Sequence, residues 1–274
     1  MNFKMKSRIL KSVQYIFLTA VALICIFPFV YAVYTSLLHK SDIDKLVSFT
    51  SLTLENYIYI FTKSDIMRWY MNSCIVTFSI VAGNLAVNTL AAYALARIRF
   101  PGRNFFFFMI LGMMMIPYQI LIIPLFRMEV KFGWLNSYQG LILPFLFQGF
   151  LVFLMRQFFM TIPDALEEAA KIDGLSKGAA FFRIILPLSK AGIATQIIYH
   201  FASTWNFLVW GATFVNDKNY YILPVGLNTL KNTYFEYPGY TMSGVVLMTL
   251  PIVLIFVIFQ KYFIQGIASS GIKG

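Results

Sequence analysis

Charge is scarce in this sequence. Asp, Glu, Lys and Arg together make up 12% of 274 residues, against 59% hydrophobic residues. Several apolar runs exceed the roughly 18 residues that cross a bilayer, so the composition excludes a soluble enzyme. Cysteine and histidine are rarer still, at two each. Cys25 and Cys74 lie inside apolar runs and read as buried packing residues, not as a disulfide. No Cys/His metal spacing exists, and no catalytic constellation is expected. The chain has no G-x-x-x-x-G-K-[ST], which excludes nucleotide binding by a phosphate-cradling loop. No Asp, Glu, Lys or Arg falls in the middle of an apolar run, where ion-driven transporters place ionisable groups. His200 is the one possible exception. A lone intramembrane histidine is more often a packing hydrogen-bond donor than a proton relay.

What is present is a set of six apolar runs, at about 13–38, 71–96, 105–126, 137–159, 191–215 and 241–264. They predict an all-α integral membrane protein with six transmembrane helices and both ends on one side. If that side is cytoplasmic, the inside segments hold 14 Lys/Arg against 4 Asp/Glu, and the outside segments 8 against 7. The excess of basic residues then sits inside, as membrane topology prefers. This distribution accounts for the net charge of +11 without nucleic acid. The segments between runs include a polar stretch to about Arg68, a turn at Pro101-Gly102, and a tyrosine-rich loop at 216–240.

The best-charged segment between two long runs is 163–187. Asp164 is a candidate helix cap with Glu167 as its capping-box partner, and 165–172 is mostly strong helix former. Gly174 sits where a left-handed C-terminal glycine belongs. Ser176 is a fresh N-cap, and 177–185 is a second helix that Pro187 should stop. A charged helix-glycine-helix elbow between membrane spans reads as a docking element.

Neutral polar residues mark the spans. Asn84 and Asn88 share a helix face at i, i+4; Gln119 follows Pro117-Tyr118; Gln148 is near the middle of the fourth run; Asn206 follows Trp205. Each alone is more often interhelical glue than a ligand contact. As a group, amides beside aromatics suit a neutral, hydroxyl-rich solute, and Asn84, Gln119, Gln148 and Asn206 are the candidate pathway residues. Ser79, Ala82, Gly83 and Ala86 support close packing of the second span. Pro28, Pro117, Pro144 and Pro251 predict bent or broken spans.

Glu168-Ala169-Ala170, three residues, Gly174, nine residues, then Ile184-x-Leu186-Pro187 resembles the "EAA" loop of ABC-type import permeases at every fixed position. Three further stretches look similar to the smaller permease subunit of maltose-type carbohydrate importers: Ala91 to Arg97, Ile116-Pro117-Tyr118-Gln119, and the tail from Gln260 to Gly274. The resemblance implies that Glu168, Ala169, Ala170, Asp173, Gly174, Leu186 and Pro187 couple this chain to a cytoplasmic ATPase dimer. ATP and Mg would be bound there and not here. It implies a second homologous permease, an extracellular solute-binding protein reached by the 216–240 loop, and a tail touching the ATPase. The expected organisation is 1–68 for the N-terminus, first span and outer loop, 69–265 for the permease core, and 266–274 for the cytoplasmic tail. Importers of glycerol phosphate or a polyamine, and a non-transporting membrane scaffold, are the rival readings. A phosphorylated solute would favour cationic pathway residues, which the runs lack.

Overall fold

The computed structural model describes residues 3–42, 48, 51–233 and 237–271, and every regular element among them is helical. Residues 43–47 of the expected outer stretch, 234–236 of the expected loop and 272–274 of the expected tail lie outside the described residues. Among the described residues, three helices are long and apolar enough to cross a membrane, and three more candidate spans are bent pairs. The chain divides into two compact units, Met1–Ile66 with Leu227–Leu250, and Met67–Gly226 with Pro251–Gly274.

In the first unit, α1 (Phe3–Ser36) presents apolar side chains such as Ile16, Phe17, Ile24 and Phe27 on its exposed surface. Water would reject that surface; lipid does not. Cys25 is exposed among them, which corrects its reading as a buried packing residue: in a membrane helix an apolar position can face lipid. Pro28 lies inside this unbroken helix, so it does not break the first span. The carbonyls at the end of α1 have no intrahelical partners and are met from other elements. Asn56, buried in α2 (Glu55–Lys63), donates to the carbonyls of Ser36 at 2.9 Å and Leu38 at 2.8 Å. Tyr237 Oη donates to Leu38 at 2.8 Å, and burial pushes this phenol above its ordinary pKa. Ser243, in α14 (Pro238–Gly271), donates to Gly239 at 2.8 Å and approaches the Ser36 carbonyl at 3.3 Å.

The second unit is built on α3 (Ile66–Arg97), followed by α4 (Arg103–Met114), α5 (Ile122–Phe132), α6 (Tyr138–Ile142) and α7 (Gly149–Thr161). The expected third and fourth spans are not continuous helices. α4 turns by 90° into Tyr118–Phe132 after Pro117, and Tyr138–Phe145 turns by 44° into α7 after Pro144. Proline supplies the reason in each case, having no N–H to continue the ladder. Pro251, by contrast, lies within α14, which runs unbroken to Gly271, into the segment expected as the tail.

Next come α8 (Ala165–Ile172), α9 (Lys177–Ala180), a π-helical turn Phe181–Ile185, α10 (Leu186–Leu188), α11 (Lys190–Trp205) and α12 (Leu208–Phe214). The fifth span is thus interrupted at Asn206-Phe207. The expected loop after it is not a loop throughout: α13 (Leu223–Thr233) occupies much of it, and Ile222, Leu223 and Val225 are buried. Asn72 holds this segment to α3, donating to Asn219 O at 2.8 Å and Tyr221 O at 2.9 Å while accepting from Tyr138 Oη at 2.7 Å. Glu129, between the third and fourth apolar runs, is in a helix and not in a loop. It lies in α5, 2% exposed.

Two apolar cores result. One gathers Val76, Ile80, Leu141, Trp210 and Phe214; the other gathers Ala92, Val152, Met155, Phe159, Phe181 and Ile185. Gly83 of α3 passes so close to the break in the fourth span that a Cβ there would sit 2.5 Å from Leu146 Cδ2. A side chain there would require the Leu146 methyl to move.

Candidate functional site

The elbow begins with α8 and ends in a glycine turn. Gly174 has φ +79°, its N–H donates to Lys171 O at 3.1 Å, and Leu175 N–H donates back to Ala170 O at 2.9 Å. This is the paired-bond helix ending that needs a left-handed residue. Ser176 then caps α9, accepting from Ala179 N–H at 3.2 Å. Asp164 and Glu167, however, do not form a capping box: Asp164 makes no side-chain cap bond. Both carboxylates are recruited elsewhere. Asp164 pairs with Arg97, and Glu167 accepts from Tyr93 Oη at 3.0 Å. Nor does Pro187 stop the second helix. It sits in the first turn of α10, after the π-helical turn. A proline at 187 opposes a regular bond pattern one turn back, and the widened turn accommodates it. The chain actually turns after Leu188, by 75°.

Arg97 is the residue that holds the elbow, and sequence reasoning noted its stretch without assigning it a role. Its side chain is 5% exposed. One nitrogen meets Asp164; the other donates to the carbonyls of Phe159 and Ile162 at the end of α7. A planar fork serves three acceptors at once from two separate nitrogens, where a lysine would have a single one. Arg97 thereby ties the end of α3 to the start of α8. Arg156 reinforces the same region, donating to Leu95 O at 3.3 Å and lying 3.9 Å from the Phe107 ring centre.

Of the coupling candidates, Ala170 is buried against the fold, while Glu168, Ala169, Asp173 and Gly174 are exposed. Leu186 is half-buried and Pro187 exposed. Ile172 at the tip is 86% exposed, an apolar side chain at the end of a charged helix. A groove of about 640 Å³ runs beside α8, lined by Arg97, Arg103, Glu167, Glu168, Lys171 and Lys177 among others.

The four candidate pathway amides are not brought together. Asn84 and Asn88 are fully buried, and Asn88 Nδ2 donates to Asn84 Oδ1 at 2.5 Å. Asn84 Nδ2 reaches Phe145 O at 3.4 Å, and Asn88 Oδ1 accepts from Gln148 N–H at 3.3 Å. These amides satisfy backbone groups freed by the break in the fourth span. Gln119 is exposed in the turn Tyr118–Leu121. Gln148 and Asn206 do share a site. Both line a cavity of about 430 Å³ where the breaks of the third, fourth and fifth spans converge. Tyr118, Phe145, Phe207 and Trp210 also line it. The rings of Phe145 lie 4.5 Å from Phe207 and 5.1 Å from Trp210. This aromatic wall was missed, because aromatics in an apolar run carry no signal of which face they occupy.

Residues 85–269 match the protein family described as "Binding-protein-dependent transport system inner membrane component". The chain is 35% identical over 260 residues to the arabinooligosaccharides transport system permease protein AraQ of Halalkalibacterium halodurans, covering 93% of each. It is 36% identical over 205 residues to the sn-glycerol-3-phosphate transport system permease protein UgpE of Pectobacterium atrosepticum, covering 73% of this chain and 72% of that one. Its fold is similar to a chain of a bacterial ABC transporter involved in the import of the acidic polysaccharide alginate. The TM-score is 0.81 at 24% identity, covering 94% of this chain and 98% of that one.

Proposed function

The chain belongs to the family of inner-membrane components of binding-protein-dependent transport systems, and from that premise we propose that it is the permease of an ATP-driven importer for a neutral sugar or oligosaccharide. One observation carries the solute class. No Asp, Glu, Lys or Arg lines the cavity where three span breaks converge, yet it offers amides and aromatic faces. Amides donate to and accept from hydroxyls without the desolvation cost of a charge. Broken helices at such a cavity are also the usual way a membrane protein exposes backbone to a solute. The named solute of the AraQ relative agrees with this reading.

In this proposal the bent third and fourth spans, and α11 with α12, each count as one crossing, giving six spans with both termini in the cytoplasm. A second, homologous permease completes the pathway, and an extracellular binding protein delivers the sugar. A cytoplasmic ATPase dimer supplies the energy, holding ATP and Mg. The elbow meets that ATPase: Glu168, Ala169, Ala170, Asp173 and Gly174 shape the docking helix, and Leu186 and Pro187 connect it to α11. The exposed tip at Ile172 and the brace from Arg97 support this assignment, since a docking element must project and must also be held.

A phosphorylated solute is the second reading, favoured by the similarity to the glycerol-phosphate permease. The test is uptake by the assembled transporter in proteoliposomes, using labelled neutral oligosaccharides and sn-glycerol 3-phosphate with their binding proteins. ATP-dependent uptake of an oligosaccharide supports the proposal. Uptake of the phosphate ester alone would replace it.

A further inference from the structure

The turn between α3 and α4 carries positive charge that the chain itself does not answer. Arg99 is exposed and Arg103 half-buried, and both line the groove beside α8, which Lys171 and Lys177 enter from the elbow. None of these four cations forms an ion pair among the described residues. Two of the three carboxylates in the groove are engaged elsewhere, Asp164 with Arg97 and Glu167 with Tyr93. Glu168 is left against four positive charges. Arg156 of α7 adds to the excess, since it lies near enough to Arg103 for the two to repel.

A second cavity, of about 330 Å³, shares Arg99 and Arg103 with the groove and continues past Gly102 to Phe105. The phenylalanine run begins there, with Phe105 65% exposed and Phe108 67% exposed. Exposed rings at the start of a membrane span face lipid. The two arginines therefore stand where the lipid-facing surface ends and a charged groove begins.

We propose that the groove at the α3–α4 turn holds the phosphate of an anionic phospholipid, bound by Arg99 and Arg103, with the acyl chains lying along the exposed phenylalanines of α4. A guanidinium fork can bind two phosphate oxygens at once, and basic groups at a membrane surface attract anionic lipid. Charge alone would also suit an acidic face of the ATPase. A water-soluble partner, however, covers the cations without covering rings that face lipid, whereas a phospholipid matches both. Lys171 and Lys177 place such a headgroup against the elbow itself. The inference rests on membrane residence and is independent of which solute is carried.

The experiment uses the assembly that co-purifies with this chain, placed in nanodiscs of phosphatidylcholine. These contain a small share of photoactivatable phosphatidylglycerol or, in parallel, of photoactivatable phosphatidylcholine, and the crosslinks are located by peptide mass mapping. Labelling within residues 99–109 is expected to be roughly tenfold higher for phosphatidylglycerol. Arg99→Gln with Arg103→Gln should abolish that preference, and Arg99→Lys with Arg103→Lys should keep most of it. Equal labelling by the two lipids, or a preference that survives the double glutamine variant, overturns the site. Loss of the preference in excess inorganic phosphate would make a soluble anion the occupant and overturn the lipid assignment. A preference seen only after the ATPase is stripped away would give the groove to that partner instead. If the double variant does not assemble, Arg99→Gln alone, at an exposed position, should cut the preference about threefold, and an unchanged preference overturns the proposal. Every outcome leaves the solute reading untouched.

Discussion

Gly174 shows how one residue can govern the elbow. Its surroundings are open, with nothing within 4 Å of a built Cβ, so a side chain would meet no clash. The constraint is the backbone, at φ +79°. A β-branched residue there is strained by about 1–2 kcal/mol. We expect Gly174→Val to leave the protein in the membrane but to lower coupled transport several-fold. Uptake and sugar-stimulated ATP hydrolysis at wild-type rates would refute the coupling role of the turn. Arg97 acts by the opposite means, through contacts. Arg97→Lys should free the Phe159 and Ile162 carbonyls, at about 1–3 kcal/mol for each left unpaired. The expected outcome is faster proteolysis within 163–176 and a lower ratio of sugar moved to ATP hydrolysed. An unchanged cleavage rate would show that the arginine does not brace the elbow.

At the scale of elements, broken helices distinguish this fold from six plain spans. The backbone groups released by each break must find partners, and several do so locally. Asn84 and Asn88 serve the break near Phe145, and Asn206 Nδ2 donates to Ala202 O at 2.8 Å where α11 ends. Gln148, Ser203 and Thr204 line the cavity between the breaks. Orientation is testable at the same scale. In a background with Cys25→Ser and Cys74→Ala, Lys218→Cys should react with a membrane-impermeant maleimide added outside intact cells. Lys177→Cys should react only after permeabilisation. The reverse pattern would place the elbow outside and end its assignment to an ATPase.

For the whole molecule, the proposal requires partners. The chain brings a broken-span cavity and a charged elbow, yet it has no G-x-x-x-x-G-K-[ST] with which to hold a nucleotide. Purification through a tag on this chain, in mild detergent, should recover a second permease and an ATPase. Replacing Ile172 and Glu168 together, as Ile172→Asp with Glu168→Lys, should remove the ATPase while retaining the second permease. Recovery of this chain alone from the wild type would favour the scaffold reading.

Membrane residence and the elbow were legible in the sequence because each is a local property. Apolar runs record the bilayer's thickness residue by residue. A glycine ten residues before Ile184, with serine two positions on, records a backbone turn that adjacent residues determine. What the sequence could not determine was which of its polar groups meet. Asp164 looked like a cap and became the partner of Arg97, 67 positions away. Asn84 and Gln148 looked alike as candidates, but one lies in packing and the other at a cavity. His200 looked like a packing histidine, and its nitrogens have no protein partner among the described residues. Such outcomes depend on where bent helices cross. A proline marks that a span bends, but the direction of the bend is set by the neighbours it packs against, and only the tertiary structure holds that information.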